Sequence, residues 1–212
     1  MSNNYLTSEI EGHKVILDCA LLKNMGKHNL ENVMAAVAAA LLCDVSPQAI
    51  SQAIEGFVGL PHRMEYVADV CDISFYDDSK ATNVGALLRS LEAVERKVIL
   101  IAGGKDKGGS YDCLKGIVEE KVNGLVLIGE AARKMKEALG SEVKTFMADN
   151  MEDAVEHAWR LAGEGDMILL SPACSSFDMF SSYAERGDAF KAAARTLVAR
   201  IEDNQKESAI AR

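Results

Sequence analysis

Residues 98–110 read Val98-Ile99-Leu100-Ile101-Ala102-Gly103-Gly104-Lys105-Asp106-Lys107-Gly108-Gly109-Ser110. The opening run is apolar without alternation, as in a strand buried on both faces. The glycine-rich stretch after it ends the strand and lets backbone N–H groups approach an anion. It is not a phosphate-binding Walker loop, which needs Gly-Lys-Ser/Thr where this chain has Gly108-Gly109-Ser110. Lys107 suits a carboxylate or a phosphate, and a solvated turn is the plain alternative.

Outward from this segment the same rhythm repeats. Strands are expected at Glu65–Val70, Ile73–Tyr76, Leu125–Ile128, Val143–Phe146 and Met167–Leu170. Between and after them lie helical patterns at Val84–Val94, Cys113–Glu120, Ala131–Leu139, Glu152–Ala162 and Asp188–Ile201. Strand–helix alternation predicts an α/β fold with a Rossmann-like, doubly wound, mostly parallel sheet. Ligands of such sheets bind at the carboxyl ends of the strands.

The chain divides near Gly59. Before it, a short strand at Lys14–Asp18 precedes helices at Leu30–Cys43 and Pro47–Gly56, with Ser46 as N-cap and Pro47 in the first turn. The tail from Glu202 to Arg212 is polar and expected to fray.

Composition bounds the function. Of 212 residues, 49 % are hydrophobic and 26 % charged, the mix of a folded domain. A net charge of −9 without a basic cluster argues against nucleic-acid binding. Cys19, Cys43, Cys71, Cys113 and Cys174 are widely spaced, with no C-x-x-C pair, which fits reduced thiols better than disulfides or zinc. No apolar stretch reaches bilayer length and the first residues are polar, so a cytoplasmic location away from membranes is expected.

Two more strand ends carry dense polar chemistry. Asp77-Asp78-Ser79-Lys80-Ala81-Thr82-Asn83 follows one strand, with Asn83 or Thr82 also readable as a helix cap. Ser171-Pro172-Ala173-Cys174-Ser175-Ser176-Phe177-Asp178 follows another, with hydroxyls suited to a carboxylate or to capping. Cys174 has no histidine placed to activate it and reads as a buried structural thiol. Nearer the amino terminus, Asn29 and Asn32 share a helix face, where their amides suit a purine edge; Asn29 also reads as a cap. Arg63, in Leu60-Pro61-His62-Arg63, suits a phosphate or a structural salt bridge. Met34, Met151 and Trp159 read as packing residues, and His13 and His157 as surface residues.

These five motifs, in this order, resemble the Mur ligase family of peptidoglycan synthesis, and within it the branch that adds D-glutamate. The Asp-Ser-Lys-Ala-Thr-Asn element carries the likeness to that branch. The resemblance implies that residues 1–59 end a central ATP-binding domain, that 60–205 form the family's carboxyl-terminal domain and that 206–212 are a polar tail. It implies an ATP-dependent ligase that joins D-glutamate to UDP-N-acetylmuramoyl-L-alanine through an acyl phosphate. Lys80, Thr82, Lys107, Ser176, Phe177 and Tyr183 match its D-glutamate pocket, and Asn29, Asn32, Arg63 and Asp78 match nucleotide-binding positions. ATP and Mg²⁺ are the implied cofactors, but the family's Walker-type loop and metal ligands have no counterpart in these residues. The resemblance therefore implies a piece that is inactive alone and exposes the Ala-rich face of its first helix to self-association. A non-catalytic module binding a small anion or a nucleotide is the alternative.

Overall fold

A computed structural model describes residues 5–10, 13–18, 27–57, 59–141 and 143–210, with side chains from residue 31 to residue 208. The chain forms two compact units, 1–59 and 60–212.

In the first unit, β1 (Tyr5–Ile10) pairs antiparallel with β2 (His13–Asp18). The mixed residues of β1 gave no strand signal; its ladder is formed with the more apolar β2. Helices α1 (Lys27–Leu42) and α2 (Pro47–Glu55) follow, and Ser46 Oγ caps α2 by accepting from the Ala49 N–H at 3.3 Å. Val37 and Leu41 of α1 bury against Ile50 of α2. Met34, expected to pack, is instead exposed, as is Leu42.

In the second unit, six strands order as β3-β4-β8-β5-β6-β7. They are β3 (Glu65–Val70), β4 (Ile73–Asp77), β5 (Val98–Gly103), β6 (Val122–Ile128), β7 (Thr145–Ala148) and β8 (Met167–Ala173). Only β3–β4 is antiparallel. Cys71 and Asp72, both at positive φ, make its two-residue turn, as a type I′ hairpin requires.

Helices cover both faces. Leu100, Leu125, Leu127 and Leu169 pack beneath α3 (Val84–Ala93), α4 (Lys115–Lys121) and α5 (Ala132–Leu139). Ile99, Ile101, Val126, Ile168 and Leu170 point the other way, into α6 (Met151–Leu161) and α7 (Tyr183–Ile210). Each residue of β5 is buried, which is why its sequence does not alternate. Burying one such side chain contributes roughly 1.5–3 kcal/mol.

The crossover through α6 brings β8 back from the far edge and inserts it between β4 and β5. Three polar strand ends, distant in sequence, thereby become neighbours: Asp77 lies beside Leu170, and Gly103 beside Ala173.

Both ends of α7 differ from expectation. Helix α7 starts at Tyr183 because Ser182 Oγ accepts from the Glu185 N–H at 3.1 Å while Glu185 accepts from the Ser181 N–H, a capping-box-like exchange. It also runs through the stretch expected to fray, as far as Ile210.

Candidate functional site

Asp77, the last residue of β4, is fully buried, and its two oxygens are both engaged. Oδ1 accepts from the Ser79 N–H at 2.8 Å and Oδ2 pairs with His62 Nδ1 at 2.8 Å. Burial pushes the Asp77 carboxyl up, and the His62 hydrogen bond opposes it. Asp78 is buried too. Its Oδ2 accepts from Ser90 Oγ at 2.6 Å and from Ser171 Oγ at 2.8 Å, and burial raises its pKa to about 6. The two acids thus anchor the loop inward, with Ser79 and Ala81 buried beside them and Lys80 and Thr82 left half-buried. Asn83 caps α3, accepting from the Ala86 N–H at 2.9 Å.

Lys80 and Thr82 are half-buried on this loop. The Lys80 Nζ stands 5.7 Å from the centre of the Tyr183 ring, a cation–π arrangement. Lys107, exposed on the β5 loop, donates from Nζ to the Thr82 carbonyl at 3.0 Å. Asp106 shapes that loop by accepting from the Gly108 N–H and Tyr111 hydroxyl, each at 3.1 Å, and from Lys134 Nζ at 3.0 Å. Neighbouring Lys105 is neutralised by Glu130 at 2.6 Å. Lys80 and Lys107 have no carboxylate partner among the described residues, so two cations of an acidic chain stand unneutralised at this edge.

The β8 loop is joined to the β5 loop through the Lys105 N–H, which donates to the Ser175 carbonyl at 2.8 Å. Ser176 is buried, whereas Phe177 is 73 % exposed and Tyr183 37 %. Cys174 is buried, its Sγ 3.2 Å from the Tyr111 hydroxyl, and burial pushes the thiol up, as befits a packing residue. His62, Met64 and Ala173 all adopt positive φ at this edge, a local strain that concentrates at functional sites.

The structure thus brings Lys80, Thr82, Lys107 and Tyr183 together and sets Ser176 and Phe177 on the adjoining strand end. Arg63 is exposed, and the salt-bridge reading finds no partner for it among the described residues. Asn32 is exposed on α1, and the side chain of Asn29 lies outside the described residues.

The family profile described as "Mur ligase, glutamate ligase domain" matches residues 62–174. The chain belongs to the Mur ligase family. UDP-N-acetylmuramoylalanine–D-glutamate ligase of Geotalea uraniireducens is 50 % identical over 197 residues, covering 92 % of this chain and 43 % of that protein. The chain therefore spans about two fifths of the length of the curated relatives it matches. Among solved structures, MurF from Acinetobacter baumannii aligns with a TM-score of 0.62 at 20 % identity, covering 90 % of this chain and 45 % of that one. MurF ligase from Thermotoga maritima in complex with ADP gives 0.61 at 14 % identity, covering 93 % and 47 %. These two likenesses are of fold.

Glu65, Arg186 and Gly187 lie outside every motif quoted from the sequence. His62, Glu65 and Asp77 bring a possible metal-ligand set within 4.8 Å of one another. They do not fit Mg²⁺. Glu65 accepts from the His62 N–H at 2.8 Å and pairs with Lys191 at 3.3 Å, and His62 Nδ1 is taken by Asp77. Mg²⁺ instead asks for oxygen ligands and retained waters in octahedral array. Arg186 and Gly187 carry no signal in the sequence either, because they fall just before the helix expected from Asp188 and meet Ser79 and Asp77, more than a hundred residues away. No helix among the described residues is long and apolar enough to cross a membrane.

Proposed function

We propose that this chain is the amino-acid-binding part of an ATP-dependent ligase that joins D-glutamate to UDP-N-acetylmuramoyl-L-alanine in peptidoglycan synthesis. One observation carries the reading: Lys80 and Lys107, free of carboxylate partners among the described residues, stand with Thr82 and Tyr183 beyond the ends of β4 and β5, the two parallel strands that flank β8. D-Glutamate carries two carboxylates, and two ammonium groups beside hydroxyl donors suit such a diacid. Ser176 and Phe177 supply the β8 side of the pocket. Relatives at about half identity that bear this activity in their names support the same reading.

In this reading ATP turns the acceptor carboxylate into an acyl phosphate, and the amine of D-glutamate displaces phosphate. The chain's own residues hold the amino acid and orient its amine. Asn29, Asn32 and Arg63 each match a nucleotide-binding position by family likeness. Asp78 acts from beneath, holding the loop against Ser90 and Ser171. Mg²⁺ would offset phosphate charge from ligands outside these residues. The protein works in the cytoplasm, and the 212 residues alone do not ligate. Exposed Met34 and Leu42 favour self-association of the isolated chain, which a concentration series in light scattering measures.

Titrating the chain with D-glutamate, followed by amide NMR, tests the pocket. Shifts clustered at Lys80, Thr82, Lys107 and Ser176, larger than with L-glutamate, are expected. Equal shifts with both enantiomers, or shifts elsewhere only, would sink the D-glutamate assignment.

A further inference from the structure

Arg186, in the first turns of α7, is 1 % exposed and heads the fully buried side chains by volume. Burying a guanidinium is costly unless it is paired, and no carboxylate lies within ion-pair distance of it among the described residues. Burial lowers its pKa to about 10, so it keeps its charge at neutral pH. Its partners are neutral and belong to two different strand-end loops. Nε donates to Ser79 Oγ at 3.0 Å; Nη2 donates to the Ser79 carbonyl at 2.9 Å and to the Cys174 carbonyl at 3.1 Å. Ser79 Oγ passes the chain on, donating to the Tyr183 carbonyl at 2.7 Å. Nη1 makes no hydrogen bond and lies beside the third loop, where a Cβ on Gly104 would come within 3.0 Å of it.

The positions of these partners matter more than their number. Ser79 immediately precedes Lys80 and stands three residues before Thr82; Cys174 stands two before Ser176; Tyr183 is held through Ser79 Oγ. One planar fork therefore reaches both banks of the proposed amino-acid pocket. A lysine cannot span two carbonyls and a hydroxyl in this way.

We propose that Arg186 is a positioning residue that sets the span between the Lys80–Thr82 bank and the Ser176 bank, and with it the fit of the amino acid. The inference rests on the ligase reading. Arg186 touches no substrate; it acts through Ser79 and Cys174.

The test uses the full-length ligase carrying these residues. KM for D-glutamate, KM for ATP and acyl-phosphate formation are measured separately, beside the melting temperature. Arg186→Lys keeps the charge and loses the fork. It should raise KM for D-glutamate roughly ten- to hundredfold, the scale of lost charge-assisted bonds and a misplaced donor. KM for ATP and acyl-phosphate formation should stay within about twofold, as for independent sites.

Ser79→Ala, which keeps Arg186 and removes one acceptor, should shift KM for D-glutamate in the same direction by less. That variant decides the matter if Arg186→Lys does not fold. An unchanged KM for D-glutamate in either folded variant overturns the proposal. So does a parallel loss of every parameter with falling melting temperature, which marks a merely structural arginine. A wild-type enzyme without D-glutamate-dependent turnover overturns the ligase reading first, and this inference with it.

Discussion

Asp77 Oδ2 and His62 Nδ1 share a buried hydrogen bond of 2.8 Å, and the backbone of α7 presses on the pair at Gly187. A Cβ at Gly187 would meet both atoms well inside contact distance. Gly187→Ala should therefore push the two apart and destabilise the chain by about 2–4 kcal/mol, combining overpacking with a disrupted buried pair. Gly116→Ala on α4 is the control, since nothing lies near its added methyl; it should gain about 0.4–1 kcal/mol. Urea unfolding compares them, and a wild-type midpoint for Gly187→Ala would refute the close-packing argument.

Asp78 should make stability fall as pH rises. Its folded pKa, about 6, lies above the ordinary aspartate value of 3.8, so the folded chain holds a proton that the unfolded chain releases. The benefit is full below about pH 4 and is lost as pH climbs through 6, with an upper bound of about 3 kcal/mol for a two-unit shift. Asp78→Asn keeps an acceptor for Ser90 and Ser171 and removes the proton. Its stability relative to wild type should improve from pH 5 to pH 8. A constant difference across that range would contradict the assignment. Asp77, also raised by burial, is common to both proteins and cancels.

What the sequence discloses and what it hides follow from the range of the forces involved. Val98–Ile101 announces a doubly buried strand because burial acts on each residue alone, and Asn83 or Ser46 announces a helix start because capping is local. The three polar strand ends are visible as motifs for the same reason. Their adjacency is not, since it depends on where β8 inserts between β4 and β5. Arg186 and Gly187 depend on partners more than a hundred residues away, Ser79 and Asp77. β1 hides because its pairing with β2, not its own composition, makes it a strand.

Thiol reactivity should separate the cysteines. Cys43, Cys71 and Cys113 are exposed, whereas Cys174 is buried against Tyr111 with its thiol held protonated by burial. In the folded chain, iodoacetamide should label the first three well before Cys174, and denaturation should abolish the difference. Peptide mapping reads the order of labelling. Early modification of Cys174 would reopen a nucleophilic role for it.

Two lysines two residues apart on one loop should behave differently. Lys105 is already neutralised by Glu130, and that exposed pair contributes little to anything beyond itself. Among the described residues Lys107 spends its ammonium on the Thr82 carbonyl alone, which leaves its charge free for a carboxylate while fixing its place beside Thr82. Lys107→Ala in the full-length ligase should raise KM for D-glutamate by roughly tenfold or more, the equivalent of one charge-assisted hydrogen bond. Lys105→Ala should leave that KM nearly unchanged. If both substitutions act alike, the loop contributes a general positive potential instead of a specific contact, and Lys107 loses its place in the pocket.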